Sequence, residues 1–137
     1  MNQGRSPVAP DEFVLRRLHK NHVDPGPPFV ISYVGFRPTP DDKEGLSVFQ
    51  ERLVTAAEVA ASGRRAGEYY VARLSVRDFH ALRLNVVADE QTPGPAGHAL
   101  ISELSFPACQ RDKARLREIQ VRLAALATQH IVHHPAA

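Results

Sequence analysis

Apolar positions along this chain come in short runs, separated by stretches rich in proline, glycine and charge, and the runs change period from one to the next. Phe29-Val30-Ile31-Ser32-Tyr33-Val34-Gly35-Phe36 is dense in β-branched and aromatic residues and reads as a strand. The rigid turn Asp24-Pro25-Gly26-Pro27-Pro28 precedes it, and Pro38 and Pro40 end it. Leu46-Ser47-Val48-Phe49 is a short second strand, expected to form a hairpin with the first. Tyr69–Leu74, Leu84–Asp89 and His98–Leu104 read as further strands. The stretch 11–20 carries two patterns. Phe13/Val14 with Arg17/Leu18 makes a helical stripe, while Phe13, Leu15 and Arg17 alternate as in a strand. The acidic-to-basic order from Asp11-Glu12 to Lys20 suits a helix dipole, and we read a short helix or turn here.

Helix signals lie between and after these runs. Thr55-Ala56-Ala57-Glu58 is a capping box opening a short Ala-rich helix that stops near Gly63. Arg64, Arg65 and Gly67 follow as a basic loop. Ser75-Val76-Arg77-Asp78 is a weaker cap before a helical turn through Leu82. Pro107 belongs in the first turn of a helix, with Ser105 or Phe106 preceding it. We expect that helix to run from Ala108 to His130, packing Leu116, Ile119, Leu123, Leu126 and Ala127 on the sheet. The expected fold is therefore a single α+β domain over 11–132, between a flexible N-terminus (1–10) and a tail (133–137). Its mostly antiparallel sheet has about five strands, with short helices and a long C-terminal helix.

Composition adds bounds. The chain has 137 residues, 43% of them hydrophobic, enough for one domain with its own core. One cysteine, Cys109, excludes an internal disulfide and gives no reason to expect secretion. Its place at a helix start would favour the thiolate, but a small filler role is the better reading. No apolar run is long enough to span a membrane, and the N-terminus lacks the apolar segment of a signal peptide, so we expect a cytoplasmic protein. The net charge of +2 makes no general case for nucleic acid.

Candidate chemistry is sparse. Walker, Rossmann, Gly-x-Ser-x-Gly and paired-cysteine patterns are absent. Arg111, Lys113, Arg115, Arg117 and Arg122 outnumber Asp112 and Glu118 on the last helix. They would suit phosphate contacts, most directly through Arg111, Arg115 and Arg122, although a solvated helix face is the plainer reading. His130, His133 and His134 have metal-ligand spacing on a helix, but with no Cys or acidic residue beside them we read a flexible tail, and expect neither metal nor cofactor. The remaining set is Arg16, Arg17 and His19 near the start, Ser47 on a short strand, and His98 where the Pro93–Gly97 loop enters a strand. An arginine fork clamps anions, a histidine exchanges protons near neutrality, and a serine hydroxyl beside a base orients or attacks a substrate.

Arg16-Arg17-Leu18-His19, Phe36-Arg37-Pro38 with Gly45-Leu46-Ser47-Val48, and Gly97-His98-Ala99-Leu100-Ile101 occur in this order. Together with Val71–Ser75 and Leu84–Val87, that order resembles a family of small uncharacterised bacterial proteins over roughly residues 13–104. The resemblance implies no activity; it draws attention to Arg17, Ser47 and His98. The lead expectation is a small cytosolic binding or interaction module, acting with an operon-encoded protein partner, whose cleft Arg17, Ser47 and His98 frame. The alternatives are an enzyme acting on a phosphorylated or nucleotide-like ligand, with Arg17 as anion clamp and His98 as acid/base, and nucleic-acid binding through the basic helix.

Overall fold

The computed structural model describes residues 5–135. It is an α+β fold around a six-stranded antiparallel sheet. In chain order the elements are β1 (Phe13–His19), β2 (Val23–Asp24), β3 (Val30–Ile31), β4 (Leu46–Gln50), α1 (Ala56–Ala61), β5 (Tyr69–Ser75), α2 (Val76–Ala81), β6 (Val87–Ala88), β7 (His98–Ile101), α3 (Phe106–Arg111), α4 (Lys113–Thr128) and β8 (Ile131–His133). The sheet order is β6-β7-β4-β1-β5-β8, and β2 and β3 form a separate two-stranded ribbon.

Side-chain alternation divides the sheet into two faces. Val14 and Leu18 of β1, Leu46 and Val48 of β4, and Ala99 and Ile101 of β7 point into the main core, shared with Phe36, Phe79 and the Leu116/Leu123 face of α4. Leu15, Phe49 and Val71 point the other way, into a smaller core closed by Val59 and Ala60 of α1. The Thr55–Glu58 capping box holds the start of α1, with reciprocal bonds of 3.1 Å. Such a cap contributes about 1 kcal/mol.

Several local readings give way to the tertiary structure. Residues 13–19 form the strand β1, not a helix or turn. They pair over their whole length with β5 and also with β4, and this long-range pairing outweighs the helical stripe and its charge order. The run 29–36 is not one strand. Only Val30–Ile31 pair, with Asp24 and Val23, and the Ser32 hydroxyl then accepts from Val34 N–H at 3.2 Å to start a 3₁₀ turn over Tyr33–Phe36. The expected hairpin partner is therefore lost, and β4 pairs with β1 and β7 instead. The last helix is two. Asp112 at φ −138° and ψ 59° breaks it, leaving α3 capped by Ser105 and α4 ending at Thr128. The Asp112 carboxylate caps neither helix and faces Arg115 at 3.7 Å instead.

Strands β6 and β7 are shorter than their apolar runs. Ser102–Leu104 turn into a 3₁₀ helix after β7. At the chain ends, the expected loose segment is docked where it is described: Val8 is 3% exposed and its N–H donates to Val86 C=O at 2.9 Å. Residues 1–4 of that segment and 136–137 of the tail lie outside the described residues. His133 sits in β8, and His134 packs its ring 5.1 Å from Phe29 and 5.5 Å from Tyr70, so these two histidines are not on a helix. No described helix is long and apolar enough to cross a membrane.

Candidate functional site

The outer end of the sheet builds a hydrogen-bonded relay. His98 is the first residue of β7, directly opposite Phe49 of β4, while Leu100 lies opposite Ser47. Alternation places Ser47, Phe49, His98 and Leu100 on one face, the face whose Phe49 packs against α1. On the other side of β7, the pairing of Ala88 with Ala99 sets Asp89 beside His98, and Asp89 N–H donates to His98 C=O at 2.8 Å. Two flanking strands thus deliver a hydroxyl and a carboxylate to opposite edges of one imidazole.

His98 Nε2 lies 3.0 Å from Ser47 Oγ, and Nδ1 lies 3.1 Å from Asp89 Oδ2. The same carboxylate oxygen accepts a hydrogen bond from Thr92 Oγ1. Arg5 Nε stands 4.0 Å from Asp89 Oδ1 while its Nη2 pairs with Glu44 at 2.8 Å. The side chains of His98 and Asp89 are 10% and 5% exposed. Burial works to raise the Asp89 carboxyl, but the Thr92 bond, the charges of His98 and Arg5, and the His98 bond together hold it below the ordinary carboxylate value. Asp89 is thus an anion at neutral pH. With an anion at Nδ1, the favoured neutral tautomer carries its proton on Nδ1 and leaves Nε2 as the acceptor of the Ser47 proton.

Two glycines allow this placement. Gly97, at φ +87°, brings its backbone against β4, and a Cβ there would meet Gln50 O and Leu53 Cβ at 3.1 Å. Its carbonyl accepts from Gln50 N–H at 2.7 Å, which anchors the residue before His98. Gly45, just before β4, would bring a Cβ to 2.8 Å from Ile101 O. The relay opens into a cleft of about 270 Å³, walled by the 41–45 loop, Thr92 and Leu100. Among the described residues, Asp41, Asp42, Glu44 and Asp89 line it against one cationic side chain, Lys43.

The other sequence candidates have different stations. Arg16 points from β1 to the main-core face. Its Nη1 donates to Ser47 C=O at 2.8 Å, and Nε and Nη2 donate to Gly35 C=O at 3.2 and 2.8 Å. It therefore braces the strand that carries Ser47, with no part in the cleft wall. Desolvation, opposed by Asp42 and reinforced by Arg17, lowers its pKa to about 10, so it stays charged at neutrality. Arg17 shares a face with Ser47 but does not line the cleft. Its head bonds Ser62 Oγ at 2.6 Å and Val59 C=O at 3.3 Å, lying over the rings of Tyr69 and Phe49. His19, at the far end of β1, pairs with Glu68 at 2.7 Å. Arg111 stands on α3, Arg115 faces Asp112 at 3.7 Å, and Arg122 is exposed on α4. Burial pushes the Cys109 thiol up, more than the Gln120 hydrogen bond lowers it, the reverse of a helix-start thiolate.

Asp89, Thr92 and Arg5 were not singled out from the sequence. A signal for Asp89 existed: Leu84–Asp89 and His98–Leu104 are adjacent strands across one loop, and hairpin pairing brings Asp89 opposite His98. Nothing local marks Arg5. No cluster of three or more His, Cys, Asp or Glu side chains able to hold a metal occurs among the described residues. Comparison with protein-family models finds none that matches, and comparisons with curated proteins and with solved structures find no match.

Proposed function

We propose that this protein is a small serine-dependent hydrolase of acyl esters. The observation that carries the proposal is the continuous bond chain Ser47 Oγ, His98 Nε2, His98 Nδ1, Asp89 Oδ2 at the floor of an open cleft. A nucleophile within hydrogen-bond reach of a base, itself oriented by a third group, is the arrangement covalent catalysis needs. In the first step Ser47 Oγ attacks the ester carbonyl carbon while its proton passes to His98 Nε2. The resulting imidazolium is held by the Asp89 anion. Collapse of the tetrahedral adduct breaks the carbon–oxygen bond to the alcohol, which leaves with the proton from Nε2. Water, deprotonated by the same nitrogen, then attacks the acyl-Ser47 carbonyl; collapse of this second adduct breaks the acyl carbon–Oγ bond, releases the carboxylic acid, and returns the proton from Nε2 to Ser47 Oγ. The acidic loop 41–45 repels anionic esters, so the substrate class is neutral or cationic.

The test is covalent capture. A fluorophosphonate probe incubated with the full chain at pH 7.5 should give one adduct, mapped to the Ser47 peptide by mass spectrometry. Ser47→Ala should give none, and His98→Gln should label far more slowly while melting as a folded protein. Wild-type protein that is folded yet unmodified at Ser47 rejects the hydrolase reading. A second reading draws on the same cleft: a binding module whose polar floor recognises a ligand or protein partner without turnover. The direct bond between Ser47 and His98 favours it too, since the same pair can present a matched donor and acceptor to a bound group. Saturable ligand binding with an inert Ser47 is its signature.

A further inference from the structure

A second cavity, sharing no lining residue with the first, lies between residues 37–40 and the helices α3 and α4. It encloses about 410 Å³, within the range of small-molecule sites. Its charge is one-signed. Arg37 comes from the loop, Lys113 and Arg117 come from one face of α4 at i and i+4, and no Asp or Glu among the described residues lines the cavity. None of these three cations has an ion-pair partner among the described residues, whereas Arg115, on the other side of the same helix, is paired with Asp112. Three unpaired cations converging on one concavity repel one another and are stabilised by an anion between them.

The rest of the lining has the character of a ligand site. Gln120, one further turn along the Lys113/Arg117 face, is 4% exposed. Among the described residues its amide has a single hydrogen-bond partner, the Cys109 sulfur at 3.7 Å, which is a weak acceptor. A phosphate oxygen is a stronger acceptor for that donor than the sulfur. Tyr33 and Phe106 supply aromatic walls, and the Arg117 guanidinium sits 5.5 Å from the Tyr33 ring centre. The positive end of α4, which begins at Lys113, adds to the field.

We propose that this cavity binds a small phosphorylated organic molecule. Its phosphate is held by Arg37, Lys113 and Arg117 with Gln120 as a neutral donor, and its planar organic part lies against Tyr33 and Phe106. The site is separate from Ser47, and its occupancy does not depend on the hydrolase reading. The anion demand that the sequence placed on Arg17 falls instead to these cations.

The experiment is calorimetric titration of the full chain at low salt with adenosine 5′-monophosphate and, separately, inorganic phosphate. Saturable binding of the nucleotide is expected, tighter than that of phosphate and weakening as sodium chloride is added. Arg37→Gln and Arg117→Gln should each weaken it roughly tenfold or more, as loss of a charge-assisted hydrogen bond implies. Arg37 is exposed and its side chain has no hydrogen-bond or ion-pair partner among the described residues, so that variant should fold even if Arg117→Gln does not. Arg115→Gln and Ser47→Ala should bind as wild type; because Ser47→Ala removes the proposed nucleophile, the two proposals fail separately. Absence of saturable binding, equal affinity for phosphate and nucleotide, or equal binding by Arg37→Gln would overturn the assignment.

Discussion

Replacing Asp89 by asparagine tests the relay at the point where geometry and charge separate. The carboxylate accepts at Oδ2 from both Thr92 and His98 and faces Arg5 with Oδ1. An asparagine amide satisfies this arrangement in neither orientation. With its oxygen toward Thr92 and His98, its NH₂ points at the Arg5 guanidinium, donor against donor. Flipped, its NH₂ donates to His98 Nδ1, which must then become the acceptor, and the ring proton moves to Nε2. In that tautomer Nε2 points a proton at Ser47 and no longer accepts one. Either way a buried position, 4% exposed, carries one mismatched group, which costs about 1–3 kcal/mol. The chemical cost is larger. A base trapped in the wrong tautomer lowers turnover by roughly 10⁴-fold in the serine protease triad, and we expect Ser47 labelling by the fluorophosphonate to slow by at least about 100-fold. The assay follows labelling rate and urea midpoint on the same preparation, so that a folding defect is read apart from a chemical one. A folded Asp89→Asn protein that labels within about threefold of wild type would refute the tautomer argument, because 1.4 kcal/mol already corresponds to a factor of ten.

Other outcomes follow from the same coordinates. Arg16→Ala strands the carbonyls of Gly35 and Ser47 and should cost about 3 kcal/mol, seen as a fall of roughly 10 °C in Tm; an unchanged Tm would show that water replaces the guanidinium. Gly97→Ala forces a Cβ to 3.1 Å from Gln50 O at φ +87° and should destabilise by about 1–3 kcal/mol, with slower Ser47 labelling as His98 shifts; calorimetric melting and the probe check both. Acid should weaken the fold in two stages. Burial, aided by the charges of His19, Arg16 and Arg37, lowers the His22 pKa, so its protonation opposes the folded state and stability falls as pH drops below 6.5. The depressed Asp89 carboxyl contributes stability that is complete above 3.8 and is lost as pH falls through its lower folded value. Urea midpoints at pH 7.5, 5.5 and 3.5 measure this, and a midpoint that stays level from 7.5 to 5.5 would contradict the His22 assignment.

The elements legible in the sequence were those whose signal is local. The Thr55/Glu58 box, the Ser75 cap, the helix start at Pro107 and the Tyr69–Leu74 strand all appear where side chain and backbone interact within a few residues. The α+β class was legible for the same reason, since strand-like and helix-like periods alternate along the chain. The stretch 13–19 was not, because its periodicity is divided between two cores: Val14 and Leu18 serve one face and Leu15 the other, which blurs a period of two into something like a helical stripe. Within the candidate site, Ser47 and His98 were legible as polar residues bordering apolar strands. Asp89 became their third member only through pairing across β6 and β7.

By itself, then, the sequence determined where α1, α2 and α3 start and that Tyr69–Leu74 extends, because those choices rest on contacts between near neighbours. Only the tertiary structure decided which strands pair, that Arg16 braces β4 while Arg17 binds α1, and that a serine, a histidine and an aspartate meet on one face. Those facts depend on strand register, and register is set by the burial of two whole faces at once, a property no short window of residues contains.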